Sequence, residues 1–359
     1  MGYVAVSGGE DAIRRSRELV DYFRLRGESS PIEVKQIREQ QRLAVDKVMG
    51  EGALYAPDIA ALALKQAEGD SVEASFIVRA YRATQPRRYI SKPVDTTDMQ
   101  VIRRISGAFQ DIPGGQILGP TRDYTLRLID FSLLEETGAS VQTFLSKLGI
   151  DPSGVGDSAP FAKVVDLLRA EGLLEEVESN EGAPSDITRE NLPFPLPRSA
   201  KLQTLARGET GAMMALAYSS IRGYGDIHPY LGELRIGTVP LYLPHPDGVQ
   251  TVYAGRVLVT EAEIIAQYAE GEKGCTPKLT LGYGFCFGHN ELKALSMGIL
   301  DRCMRSRAPV KAPAEDEEFV LTHIDGVEAS GFVAHWKLPH YVTFQSTLDR
   351  LRKSQRMGE

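Results

Sequence analysis

Residues 234–243 and 249–260 limit the fold more than any other stretch. Each alternates apolar and polar side chains, and the intervening Pro244-His245-Pro246-Asp247-Gly248 carries an Asp-Gly pair. A period of two sends successive side chains to opposite faces, and Asp-Gly is a short-range hairpin signal. The region therefore predicts two antiparallel strands that bury one face. Residues 279–287 read as a further strand, with Gly-Tyr-Gly at 282–284. A helix follows over 291–305, with Asn290 as its N-cap and Leu292, Leu295, Ile299 and Met304 as its buried stripe.

Ahead of this sheet the helical period dominates. Residues 3–6 form a short apolar strand, Ser7-Gly8-Gly9 opens a helix carrying Ile13, Leu19, Val20 and Phe23, and further helices are predicted over 32–49 and 59–66. Strand, glycines and helix in that order can be a phosphate-binding layout or a plain tight turn. Residues 135–198 loosen into DPSGVGDSAP, SNEGAPSD and NLPFPLPR around one amphipathic helix at 161–176, the composition of a link. Residues 201–220 read as two helices broken at Gly208, and a short helix is expected over 346–356. The fold class that follows is α+β, with a helix-rich N-terminal part (1–134), a loop-rich link (135–198) and a mixed C-terminal part with an antiparallel sheet (199–359).

A chain of 359 residues with 42% hydrophobic content can bury a substantial core. With 41 basic against 48 acidic residues the net charge is −7, which argues against a general binder of nucleic acid or anionic membrane, so any anion site must be local. Cysteines at 275, 286 and 303 form no CxxC pair and fit thiols in a reducing compartment. Without a run approaching the roughly 18 apolar residues of a bilayer span, the expected location is cytoplasmic. Met1-Gly2 is no myristoylation signal with Val at position 6.

The basic charge is concentrated in one place. Arg79, Arg82, Arg87, Arg88, Lys92, Arg103 and Arg104 are accompanied only by Asp95 and Asp98. Arginine's planar fork holds phosphate oxygens in pairs, so Arg87 and Arg88 are candidates for a polyphosphate or phosphonate cradle; a solvated face or a contact for an acidic partner is the other reading. The segment runs into Asp111-Ile-Pro-Gly-Gly-Gln-Ile-Leu-Gly-Pro120, a shaped loop whose glycines, Gly114 and Gly115 first, let backbone amides approach a ligand. Arg122, Asp123, Tyr124 and Arg127 stand at its exit. This loop is a substrate contact or a structural turn. Later, Gly223-Tyr224-Gly225 with Asp226 and His228 offers either an acid/base pair or a capped turn.

Three of the six histidines, His323, His335 and His340, fall within eighteen residues. Five positions apart on a helix is about 140° of rotation, so one helical face cannot present both His335 and His340. Pro339 favours a bend, and the expectation is an extended run over 331–336, a turn at 337–339 and His340 re-entering at the same end. Two imidazoles so placed suit Zn²⁺, which needs about four ligands, or they are ordinary residues flanking a turn. No Walker A, GxSxG, HExxH or iron–sulfur cysteine pattern is present.

Several long blocks, DIPGGQILGPTRDYT, ALAYSSIRGYG, GYGFCFGHNELKALSMGILDR, DEEFVLTH and VEASGFVAHWKLPHYV, resemble the PhnI family of the bacterial carbon–phosphorus lyase system, and the similarity runs from YVAVSGGEDAI to LPHYVTFQ. The resemblance implies His335 and His340 as zinc ligands at the contact with the radical-enzyme subunit, the remaining ligands coming from that other chain. It also implies cleavage of the N-glycosidic bond of a purine nucleoside triphosphate, with ATP as substrate. With partner subunits of the PhnG, PhnH, PhnJ, PhnK and PhnL types, the ribose triphosphate passes to an alkylphosphonate, giving α-D-ribose 1-alkylphosphonate 5-triphosphate and adenine. Departure of a purine leaves an oxocarbenium-like sugar, which calls for a carboxylate and a proton donor. The resemblance fixes no catalytic carboxylate; Asp123 and Asp226 are the candidates, with Arg87, Arg88, Gly114, Gly115, Arg122 and Tyr124 for the nucleotide. A non-catalytic scaffold completing a neighbour's zinc site is the alternative.

Overall fold

A computed structural model describes residues 9–149, 161–175, 183–223, 228–245, 250–267, 277–305 and 312–358. The strand expected at 3–6 and the Asp247-Gly248 turn lie outside them. In chain order the elements are α1 (Glu10–Leu25), α2 (Val34–Gln40), α3 (Arg42–Gly52), α4 (Pro57–Gln66), α5 (Ser71–Thr84), β1 (Gln100–Ile105), α6 (Gly138–Leu148), α7 (Val164–Ala170), α8 (Arg198–Arg207) and α9 (Thr210–Arg222). They continue as β2 (Tyr230–Pro244), β3 (Thr251–Gln267), β4 (Leu279–Phe287), α10 (Glu291–Cys303), α11 (Glu317–His323), α12 (Gly326–Ala334) and α13 (Tyr341–Gly358). The architecture is α+β. Among the described residues, no helix is long and apolar enough to cross a membrane.

Two compact units emerge, and they do not follow chain order: Met1–Thr84, Arg207–Ala212 and Thr322–Glu359 form one, Gln85–Ala206 and Met213–Leu321 the other. Composition had placed a link at 135–198, because local residue bias marks loops whereas compactness depends on which distant helices pack together. The first unit is built on α2–α5, around Val48, Met49, Ala61, Leu64, Ala74 and Val78. Arg79 of α5 ties Asp325, the N-cap of α12, to this core through two bonds of 2.6 and 2.8 Å and donates from Nε to the Glu51 carbonyl at 2.9 Å.

The second unit holds one antiparallel sheet in the order β1-β2-β3-β4. The alternation read from the sequence is realised in register: Leu234 faces Ala262, which faces Gly284, on one side of the sheet, and Glu233 faces Glu263, which faces Tyr283, on the other. The first side carries α10. A Cβ on Gly282 or Gly284 would lie 1.9 Å from the carbonyl of Gly298 or Ala294, so the two glycines let the helix backbone rest directly on β4. That contact corrects the expected helix stripe. Leu292 is exposed, while Ala294, Met297, Gly298 and Leu300 are buried, because the close approach admits small residues where larger ones were expected. Asn290 does not cap through its side chain; its Nδ2 donates instead to the Phe287 carbonyl at 2.6 Å.

Candidate functional site

The histidine element differs from expectation in its backbone. Residues 326–334 form α12, and His335–Lys337 continue as a single 3₁₀ turn, so the extended run predicted over 331–336 is helical. Asp325 accepts from the amides of Val327 and Glu328, a cap that outweighs the glycines in Gly326-Val-Glu-Ala-Ser-Gly331. Pro339 then ends the turn, and α13 begins at Tyr341. His335 and His340 come together with ring centroids 5.3 Å apart, and Trp336 stacks on His340 at 5.5 Å. Each ring turns Nδ1 to a backbone carbonyl, that of Phe332 for His335 and that of Leu338, at 2.6 Å, for His340. A carbonyl only accepts, so in a neutral ring this contact places the proton on Nδ1 and the lone pair on Nε2, as in imidazoles that bind metals. This donor set fits zinc as half a coordination sphere. Among the described residues, no group of three or more His, Cys, Asp and Glu side chains could hold a metal ion. His323 lies at the end of α11, apart from this pair in the chain.

The basic segment does not stay together. Arg79 is committed to Asp325, and Arg87 is held by Asp186 and by Thr188 Oγ1 at 2.9 Å. Arg88 is exposed. Arg103 and Arg104 alternate along β1 and are fully buried on opposite sides of the sheet. On the helix side, Arg103 meets Asp123, the Leu118 carbonyl and, with Nε 2.9 Å from its Oε1, Glu291; His289 Nε2 lies 2.8 Å from the same carboxylate. Asp123 thus spends its charge on Arg103 and pins the exit of the Gly/Pro loop. On the other side Arg104 meets Glu233 and the Pro113 carbonyl, and donates to the Ala162 carbonyl at 3.1 Å.

The Gly/Pro loop runs along β1, the edge strand, exchanging two 2.7 Å hydrogen bonds between Ile117 and Arg104. Gly114, at φ 77°, is accounted for by packing, since a Cβ there would strike the Phe161 ring at 2.2 Å. Gly115, at φ 76°, faces open space, and Arg122 and Tyr124 are exposed. Asp226 lies outside the described residues; His228 packs its ring 5.4 Å from Tyr230.

The side of the sheet facing away from α10 carries buried charge beside an apolar cluster in which Ile265 and Leu281 pack with Val165 and Leu168 of α7. Glu261, almost wholly buried, accepts at Oε1 from Thr96 at 2.8 Å, Lys163 at 2.7 Å and Tyr283 at 2.8 Å, and at Oε2 from Arg235 Nε at 2.9 Å. Burial would push its carboxyl up, but the charges of Arg235 and Lys163 outweigh this and hold it below the usual carboxylate range. Glu263 is different. Its Oε1 sits 3.4 Å from Lys163, its Oε2 has no partner among the described residues, and burial, reinforced by Glu261 and Glu233, pushes its carboxyl up to about 7 against the opposing pull of Lys163. Tyr283 is raised for the same reasons, burial first and then the Glu261 charge. Glu263, Lys163, Thr96 and Tyr283 border a cavity of about 370 Å³ that also touches Thr97, Asp166, Arg169 and Arg198, with Glu261 behind its wall.

The chain matches, over residues 2–358, the family described as "Bacterial phosphonate metabolism protein (PhnI)". It belongs to the PhnI family. It is 45% identical over 360 residues to the Escherichia coli protein named α-D-ribose 1-methylphosphonate 5-triphosphate synthase subunit PhnI, covering 98% of both chains. The protein of that name from Rhizobium meliloti is also 45% identical, over 99% of this chain and 95% of its own. HtxH of Stutzerimonas stutzeri is 49% identical over 361 residues, covering 99% of this chain and 96% of its own.

In this PhnI-family chain the sequence marks the histidine pair and the Gly/Pro loop, but not the charged sheet face. Glu261 and Glu263, two positions apart in β3, look like the solvated side of an amphipathic strand. No local signal separates them from a solvated face; only the register places Glu263 against Glu233 and Tyr283.

Proposed function

We propose that this chain is the PhnI-type subunit of a carbon–phosphorus lyase system, in which adenine is displaced from ATP by an alkylphosphonate to give α-D-ribose 1-alkylphosphonate 5-triphosphate. The observation that carries the reading is the end-to-end match to relatives named as subunits of that synthase, 98% of both chains in one case. In this reading Arg88, Gly115, Arg122 and Tyr124, all exposed, take phosphate oxygens. His335 and His340 hold zinc through Nε2, and the rest of the coordination sphere belongs to a partner subunit. Bound there, zinc would supply a positive charge and a fixed link between chains. The location in this reading is cytoplasmic.

Incubating the purified chain with ATP tests the activity. Free adenine and ribose 5-triphosphate are the expected products; no adenine, either from the chain alone or with its partners added, refutes the reading in favour of a scaffold. Metal analysis of the assembled complex tests the zinc site. Zinc is expected to fall when His335 and His340 are both replaced by Ala, and an unchanged content rejects the assignment.

A further inference from the structure

Departure of a purine requires a proton at the base as the C1′–N9 bond breaks, and a group near neutrality that can give one. Among the described residues of the second unit, the cavity on the charged side of the sheet brings such a group to a ligand-sized space. Its volume of about 370 Å³ falls at the low end of the range for small-molecule sites, about 300–1,000 Å³.

The lining is graded. The Glu263 and Lys163 side chains are only 5 and 12% exposed, whereas those of Arg198 and Arg169 are 32 and 54% exposed. A neutral sugar and base would therefore reach the carboxylic floor; Arg198 and Arg169 at the mouth are paired with Asp301 and Asp166. Neighbouring segments converge on the same cavity: Lys163 follows the Ala162 carbonyl held by Arg104, and Arg198 precedes Ser199, whose Oγ accepts from the Ser185 amide at 3.1 Å.

We infer that this cavity receives the nucleoside part of a purine nucleoside triphosphate and that Glu263 is the catalytic acid, donating the proton on Oε2 to N7 of the departing purine. The inference rests on the nucleosidase reading above. As the C1′–N9 bond breaks, its electron pair moves into the base and the Glu263 proton goes to N7. Water or the phosphonate attacks C1′. When water attacks, the proton it releases restores Glu263; after attack by a phosphonate dianion, solvent restores it. Glu261, ionised behind the cavity wall, helps keep the Glu263 carboxyl raised.

Three features support this role. Glu263 Oε2 is a buried oxygen with no hydrogen-bond partner among the described residues, whereas Glu261 behind it is fully hydrogen-bonded. Burial, with Glu261 and Glu233, raises the carboxyl to about 7, so a substantial fraction is protonated at neutrality. Every charged group around it has a defined place: Glu233 and Arg235 on β2, Glu261 on β3, Tyr283 on β4 and Lys163 ahead of α7, with Asp95, Asp166, Arg169 and Arg198 further out along the cavity.

The test uses the assembled complex and compares ATP with 7-methylguanosine triphosphate, whose base leaves without needing a proton at N7. Wild-type release of adenine comes first; its absence overturns the nucleosidase reading and this inference together. With wild-type activity in hand, Glu263→Gln is expected to lower kcat on ATP by 100-fold or more, with KM within twofold, while the methylated substrate is cleaved at the wild-type rate. An unchanged rate on ATP, or an equal loss on both substrates, overturns the assignment and leaves the nucleosidase reading standing. The wild-type pH profile is independent of whether the variant folds. The kcat on ATP should fall tenfold per unit above about pH 7, where the carboxyl ionises, and a flat profile to pH 9 overturns the role.

Discussion

Replacing Gly284 with Ala tests how α10 sits on the sheet. The added Cβ would lie 1.9 Å from the Ala294 carbonyl oxygen, 2.8 Å from its carbon and 3.1 Å from its Cα. Ordinary contact begins at 3.4 Å, so the helix has to retreat by about 1.5 Å, and the atoms it meets are backbone, which cannot rotate aside as a side chain would. Overpacking a well-filled core costs about 1–3 kcal/mol, and a clash with two rigid backbones belongs at the upper end. At about 3 kcal/mol, a unit of this size should lose roughly 6–12 °C in Tm. The readout is thermal and urea unfolding of the purified chain followed by circular dichroism. Gly331→Ala is the control: it lies inside α12 with nothing within 4 Å of the added Cβ, and helix propensity alone should stabilise it by about 0.5–1 kcal/mol. If Gly284→Ala shifts Tm by less than about 2 °C, the helix is not resting on β4 as described.

Two further predictions follow from the charges. Because the Glu263 carboxyl is raised to about 7 in the folded chain and returns to 4.5 when unfolded, the folded state binds the extra proton between these values, and stability must fall as pH rises through that window. The loss is at most about 3 kcal/mol, and Glu263→Gln should remove it; parallel stability curves for the two proteins from pH 5 to 8 would contradict the assignment. Arg88→Ala should weaken ATP binding about tenfold while leaving adenosine binding within twofold. Arg87→Ala, whose guanidinium is already occupied by Asp186 and Thr188, should do less, and calorimetric titration separates the two.

Much of the second half was legible in residue order because strands and hairpins write a period of two into the chain. β4 begins and ends where the pattern places it, β2 and β3 pair antiparallel, and α8 and α9 part around Gly208. The long family-like blocks likewise located the chain's relatives without coordinates. Elsewhere local patterns misled. The Asp325 cap makes residues 326–334 helical where Pro339 and the histidine spacing suggested an extended run. The stretch rich in arginine looked like one patch, yet a strand turns adjacent side chains to opposite faces and sends Arg103 and Arg104 to different carboxylates.

What residue order determined is the α+β class, the strand pairing, the family and the histidine pair, all of which depend on short-range periodicity or on long contiguous similarity. Only the tertiary structure decided that Glu233, Arg235, Glu261, Glu263, Lys163 and Tyr283 share one buried surface. They come from three strands and from the entry to a helix, and the ionisation of Arg235, Glu261, Glu263 and Tyr283 depends on neighbours distant in the chain, at separations no linear pattern records.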